Sequence, residues 1–113
     1  MAATPESKVK AKIHAHLKHL GAYAVNYIGG AYANNGTPDI LACYKGRFIG
    51  IEAKAGKGRP TALQLSNLRQ IYEAGGTALV INENNLAALH MLAIAPHPFT
   101  NIQEWEPKEK DND

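Results

Sequence analysis

The chain has 113 residues, 45% hydrophobic and 19% charged, which suits one soluble globular domain and excludes a disordered chain. Its single cysteine, Cys43, excludes an intrachain disulfide; no apolar run approaches the ~20 residues of a membrane span, and the opening MAATPESKVKAK lacks the apolar centre of a secretory signal. We therefore expect a cytoplasmic, reducing setting and no membrane partner, while the formal charge of +2 says little until its distribution is considered.

Thr4-Pro5-Glu6 predicts a helix start, with Thr4 as cap and Pro5 at the first helical position. Val9, Ile13, Leu17 and Leu20 follow at helical spacing until Gly21. The alternating run from Ala22 to Ile28 predicts a strand, and the glycine- and asparagine-rich stretch from Gly29 to Pro38 a loop. Asp39 to Tyr44 and Arg47 to Ala55 read as two strands joined by a two-residue Lys45-Gly46 turn. Gly56 to Pro60 reads as a flexible basic loop. Thr61 to Ala74 reads as a helix with Leu65, Leu68 and Tyr72 on one face. Thr77 to Ile81 reads as a short buried strand and Asn85 to Ile94 as a last helix before Pro96 and Pro98. The order αβββαβα predicts an α/β fold, a mixed sheet flanked by helices. We expect one domain over residues 1–106 and a polar, flexible tail over 107–113.

The hairpin brings acids together. With Lys45-Gly46 as the loop, Tyr44 pairs with Arg47, and counting outward sets Asp39 opposite Glu52, with Lys54 on the face of Glu52. Two carboxylates facing across a strand pair weaken the sheet unless a cation sits between them, and Mg²⁺ prefers such hard oxygen ligands. The plainer alternative is a surface Glu52–Lys54 pair with Asp39 ending a loop. Glu6 continues the inward line of Val9 and Ile13 and can join the site, or can simply favour the helix dipole. Gln64 lies near the same place, but Thr61-x-x-Gln64 also matches a capping box.

Lys45, Arg47, Lys54, Lys57, Arg59 and Arg69 cluster in the middle of the chain against the single acid Glu52, whereas five acids fall in the last ten residues. A basic middle with an acidic tail fits either a polyanion site or a solvated surface. On the first reading Lys45, Arg47, Lys57 and Arg59 grip phosphates, and Asn34 and Asn35 touch sugars or groove edges unless they only make turns. His14, His16 and His19 share a helix, but their spacings do not set all three on one face, which argues against zinc there.

Pro38-Asp39, twelve intervening residues and Glu52-Ala53-Lys54 resemble the PD-(D/E)XK nuclease signature. Gly36-Thr37-Pro38-Asp39, Phe48 to Lys54, Gln64 to Leu68, Gly75-Gly76 and the strand Thr77 to Ile81 resemble the VRR-NUC branch, over roughly Glu6 to Ile81. The resemblance implies a restriction-endonuclease-like αβββαβ core. It implies Asp39 and Glu52 as metal-binding acids with the Ala53 carbonyl as a further ligand. Lys54 would be the catalytic lysine, Glu6 the acid of the first helix and Gln64 the helix glutamine. It also implies a Mg²⁺-dependent DNA endonuclease, with Mn²⁺ as substitute, acting as a homodimer on branched DNA such as Holliday junctions. The apolar segment Leu86, Leu89, Met91, Leu92, Ile94 offers one dimer interface, or simply core. A nicking or flap/duplex nuclease of the same fold and a non-catalytic DNA-binding module are the alternatives.

Overall fold

A computed structural model describes residues 3–29 and 35–107. The first helix, α1 (Pro5–Leu20), begins as its sequence predicts. Thr4 is extended, its hydroxyl accepts the Ser7 N–H at 3.1 Å, and Pro5 enters where no intrahelical N–H is needed. Gly21 ends it with a left-handed φ of 87°. Val9, Ile13 and Leu17 are its buried stripe.

Four strands form one sheet in chain order: β1 (Tyr23–Asn26), β2 (Ile40–Tyr44), β3 (Arg47–Ala53) and β4 (Thr77–Ile81). The first three run antiparallel and β4 lies parallel to β3, so the sheet is mixed. Tyr44 pairs with Arg47 and Ile40 with Ile51, the register expected from a two-residue turn. Lys45 (φ 50°) and Gly46 (φ 79°) both take positive φ, the twist of a type I′ hairpin.

Between β3 and β4 runs α2 (Ala62–Glu73), opened by a complete Thr61/Gln64 capping box. Its inward residues are Leu65, Leu68 and Ile71, whereas Tyr72 is 42% exposed, contrary to the expected face. The partner strand decides this: Gly50 has no side chain, and a Cβ there would meet Ile71 Cδ1 at 2.6 Å. Ile71 fills the space that the glycine leaves, and Tyr72, one residue on, is turned outward.

The expected helix from Asn85 to Ile94 is instead a 3-10 segment, Leu86–His90, followed by the single-turn α3 (Met91–Ile94). Asn85 does not cap it. Its amide group accepts from the Asn82 N–H at 2.7 Å and donates to the Val80 carbonyl at 2.8 Å, binding the segment back to β4. Leu89 and Leu92, three residues apart, are buried in the chain's own core, which suits a 3-10 repeat and leaves Met91 and Ile94 outward.

Leu79 and Ile81 of β4 face a core with α1, while Ala78 and Val80 face a second core with α2 and Ile102. Cover on both sides explains the unbroken apolar run of this strand. The α2 side is open near β1, where Tyr23 and Phe48 are exposed. Among the described residues no helix is long and apolar enough to cross a membrane.

Candidate active site

Continued one step past Ile40–Ile51, the hairpin register sets Asp39 opposite Glu52 at the open end of β2 and β3. Asp39 itself lies just before β2. Its carbonyl still accepts the Tyr27 N–H at 2.8 Å, and its carboxylate takes over the next rung, with Oδ2 accepting the Ala53 N–H at 2.9 Å. Ala53 ends β3 fully buried, and the Lys54 N–H carries the parallel ladder onward to the Ile81 carbonyl at 3.0 Å. Backbone bonds thus hold the Asp39 and Lys54 ends of both strands in place.

Glu52 is 1% exposed, and its Oε1 is buried with no hydrogen-bond partner. Native proteins rarely leave a buried carboxylate oxygen so placed. Burial pushes its pKa up to about 8, helped by a hydrogen bond to Asp39 and by the charges of Asp39 and Glu6. Lys54, with Nζ 3.6 Å from Glu52 Oε2, pulls the other way and does not win.

Glu6 comes to the same point from the first turn of α1. Carboxylate oxygens of Glu6, Asp39 and Glu52 all lie within 4.8 Å of one another. Among the described residues no other three His, Cys, Asp or Glu side chains converge in this way. The donor set is all oxygen, one member is buried and unsatisfied, and the acids repel; a hard divalent cation fits each of these facts. Histidines do not compete: His14 is hydrogen-bonded to Asn26 at 2.7 Å, and the His16 ring meets the His90 ring edge-on.

Lys10, which the sequence reading missed, places its Nζ 3.7 Å from Asp39 Oδ1. The available signal was its position four residues after Glu6, on the same helix face. The acids are therefore bracketed by two ammonium groups, Lys10 beside Asp39 and Lys54 beside Glu52.

The other expected residues divide sharply. Glu6, Lys54 and Arg59 line a groove of about 520 Å³ between the start of α1 and the loop after β3. That loop is held at three points rather than free: Gly56 N–H to Glu83 at 2.7 Å, Gly58 N–H to the Ala55 carbonyl at 3.0 Å, and Arg59 to the Trp105 carbonyl at 2.8 Å. Lys57 is exposed on it. Gln64 is engaged at the start of α2, where its Oε1 accepts the Thr61 N–H at 2.9 Å in the capping box. Lys45 and Arg47 sit at the hairpin turn, and Arg47 pairs with Tyr44, five residues from Asp39, or about 17 Å along the strand at ~3.3 Å per residue. Arg47 also donates to the Ala95 carbonyl. Asn35 is a turn residue whose carbonyl receives the Asn67 side chain at 3.5 Å, and Asn34 lies outside the described residues.

A larger cavity of about 620 Å³ between the hairpin turn and α2 has Arg47 as its only charged lining side chain, and the acid cluster lies at the other end of the sheet. The chain matches no family model and no curated protein.

Proposed function

We propose that this protein is a metal-dependent endonuclease that hydrolyses DNA phosphodiester bonds, with a restriction-endonuclease-like core of the VRR-NUC kind. One observation carries the reading: the carboxylates of Glu6, Asp39 and Glu52 converge from α1, the approach to β2, and β3, one Glu52 oxygen is buried without a partner, and Lys54 stands just past β3 beside them. The element order α1-β1-β2-β3-α2-β4 and the spacing Asp39, Glu52, Lys54 support it.

Glu6, Asp39 and Glu52 would hold Mg²⁺, or Mn²⁺ in its place, with the Ala53 carbonyl as the further ligand that the resemblance implies. Such an ion, when bound, supplies Lewis acidity toward a phosphoryl oxygen and toward water. Lys54 presents an ammonium group where negative charge develops and donates to the attacking water or to the phosphate. In the reaction the water oxygen bonds to phosphorus and gives a proton to solvent, the bond to the leaving sugar oxygen breaks, and that oxygen takes up a proton from solvent. Arg59 and Lys57 bind flanking phosphates with little regard to sequence and with strong sensitivity to salt. Lys45 and Arg47, at the far end of the hairpin, are left out of this role. A branched substrate such as a four-way junction and action as a homodimer belong to the same proposal; in the C-terminal apolar segment Leu89 and Leu92 are core residues, and Met91 and Ile94 are the exposed members available to a partner copy.

The test is a panel of four-way junctions, flaps, linear duplexes and single strands incubated with the protein in Mg²⁺, Mn²⁺ or EDTA. We expect metal-dependent cutting that favours a branched substrate, abolished in Asp39→Ala and Lys54→Ala proteins that still fold and bind DNA. Undiminished cutting by both variants would overturn the assignment.

A further inference from the structure

Arg59 belongs to more than the acid groove. On its other side it lines a cavity of about 490 Å³ walled by Pro60, Leu65, Arg69 and Trp105, and it borders a third of about 260 Å³, again with Trp105. The guanidinium is held there although the residue is exposed. Its Nη2 donates to the Trp105 carbonyl at 2.8 Å, and its Cζ lies 5.5 Å from the centre of the Trp105 ring. Trp105 follows the 3-10 turn Ile102–Glu104 and rests, half-buried, against the core of Leu65, Leu68 and Ile102. The indole thus borders two cavities next to the loop that leaves Lys54, with Arg59 over its ring and Glu104 lining the smaller cavity.

The cavity's chemistry is mixed in a specific way. Pro60, Leu65 and Trp105 give an apolar floor, and Arg59 and Arg69 stand at its rim; Glu106 pairs with Arg69 and leaves one net positive charge. An aromatic ring bearing an anion fits such a site, and a nucleotide is that combination. A base within a duplex is already stacked and paired and cannot turn its face to an indole. We infer that Trp105, with Arg59, is a stacking platform for an unpaired nucleotide of the strand leaving the acid groove, which narrows the branched substrate to one single-stranded on that side of the cut, such as a flap, rather than a fully paired four-way junction. The inference rests on the nuclease reading above and names its substrate class.

Trp105 is the only tryptophan in the chain, so its emission reports on this position alone. The wild-type protein in EDTA is titrated with a short single-stranded oligonucleotide and with a blunt duplex of the same length. Saturable quenching by the single strand, weakened by salt and not matched by the duplex, is expected. Followed by anisotropy of labelled DNA, Trp105→Leu should lower single-strand affinity about tenfold or more, the range of one lost stacking contact. Trp105→Phe should restore most of it, and duplex affinity should stay unchanged in both. Absence of quenching, equal quenching by the duplex, or a Trp105→Leu protein that binds single strands as wild type does would overturn the platform. Quenching by a protein that cuts no DNA in Mg²⁺ would keep the platform and remove the nuclease reading; cutting without quenching would do the reverse.

Discussion

Asp39 Oδ2 accepts the Ala53 N–H at 2.9 Å, which ties an acid of the candidate metal site to the strand that carries Glu52. The same carboxylate therefore closes a strand pair and contributes to a charged cluster. These two roles separate on substitution. Asp39→Asn keeps an amide oxygen for the Ala53 N–H and should retain its thermal stability while losing cleavage. Asp39→Ala leaves that N–H unmatched and should also lose about 1 kcal/mol. Thermal unfolding beside a cleavage assay reads both; an active Asp39→Asn protein would contradict the metal role.

Glu52 makes stability depend on pH. Its folded pKa is about 8, against an ordinary 4.5, because burial and the neighbouring acids oppose its charge. Below 4.5 it is protonated folded or unfolded. Between 4.5 and 8 the folded protein holds a proton that the unfolded chain has given up, so stability falls as pH rises, by at most ~1.4 kcal/mol per unit from this group. Above 8 the loss is complete. Denaturant unfolding of the metal-free protein across this range should show the decline, and Glu52→Gln should flatten it. Added Mg²⁺ should oppose the decline by favouring the charged form.

Lys10 sits where cations gather. Its ammonium beside Asp39 offsets carboxylate repulsion in the metal-free protein and competes with a cation for that oxygen. Lys10→Met should therefore tighten Mn²⁺ binding severalfold while changing stability by less than about 1 kcal/mol, since the pair is partly exposed. Calorimetric titration reads the affinity; weaker Mn²⁺ binding in the variant would contradict the competition.

Gly50 is the point where sheet, α2 and the loop before Asp39 meet. A Cβ there would lie 2.6 Å from Ile71 Cδ1 and 3.2 Å from Pro38 Cγ. Gly50→Ala should cost about 1 kcal/mol, because Ile71 Cδ1 ends a flexible side chain that can swing aside while the Pro38 ring must give slightly, and adding Ile71→Val should recover part of it. Because Pro38 precedes Asp39, the single variant should also cut more slowly than its stability loss explains. Melting temperatures and rates measured well below the transition separate the two effects.

The local parts of this structure were legible in the sequence. Thr4-Pro5 and Gly21 bound α1, Thr61 and Gln64 open α2, and Lys45-Gly46 sets the register that carries Asp39 to Glu52, because each involves neighbours a few residues apart. What was missed depends on distant partners. Ile71 rather than Tyr72 turns inward because Gly50 lies beneath it, and Asn85 binds back to β4 where the expected helix gives way to a 3-10 segment. Arg47 and Arg59 look alike as free cations in the sequence, yet carbonyls of Ala95 and Trp105, more than forty residues away, engage them. Lys10 was within reach of sequence reasoning, as the residue one helical turn after Glu6.

The central claim is that Glu6, Asp39 and Glu52 hold a divalent cation, and Mn²⁺ titration followed by electron paramagnetic resonance tests it most directly. Free Mn²⁺ signal should fall saturably with wild-type protein, Mg²⁺ should compete, and the Glu52→Gln and Asp39→Asn proteins should bind at least tenfold more weakly, the scale of a lost charged ligand. A wild-type protein that takes up no Mn²⁺, or variants that bind it equally well, would contradict the account.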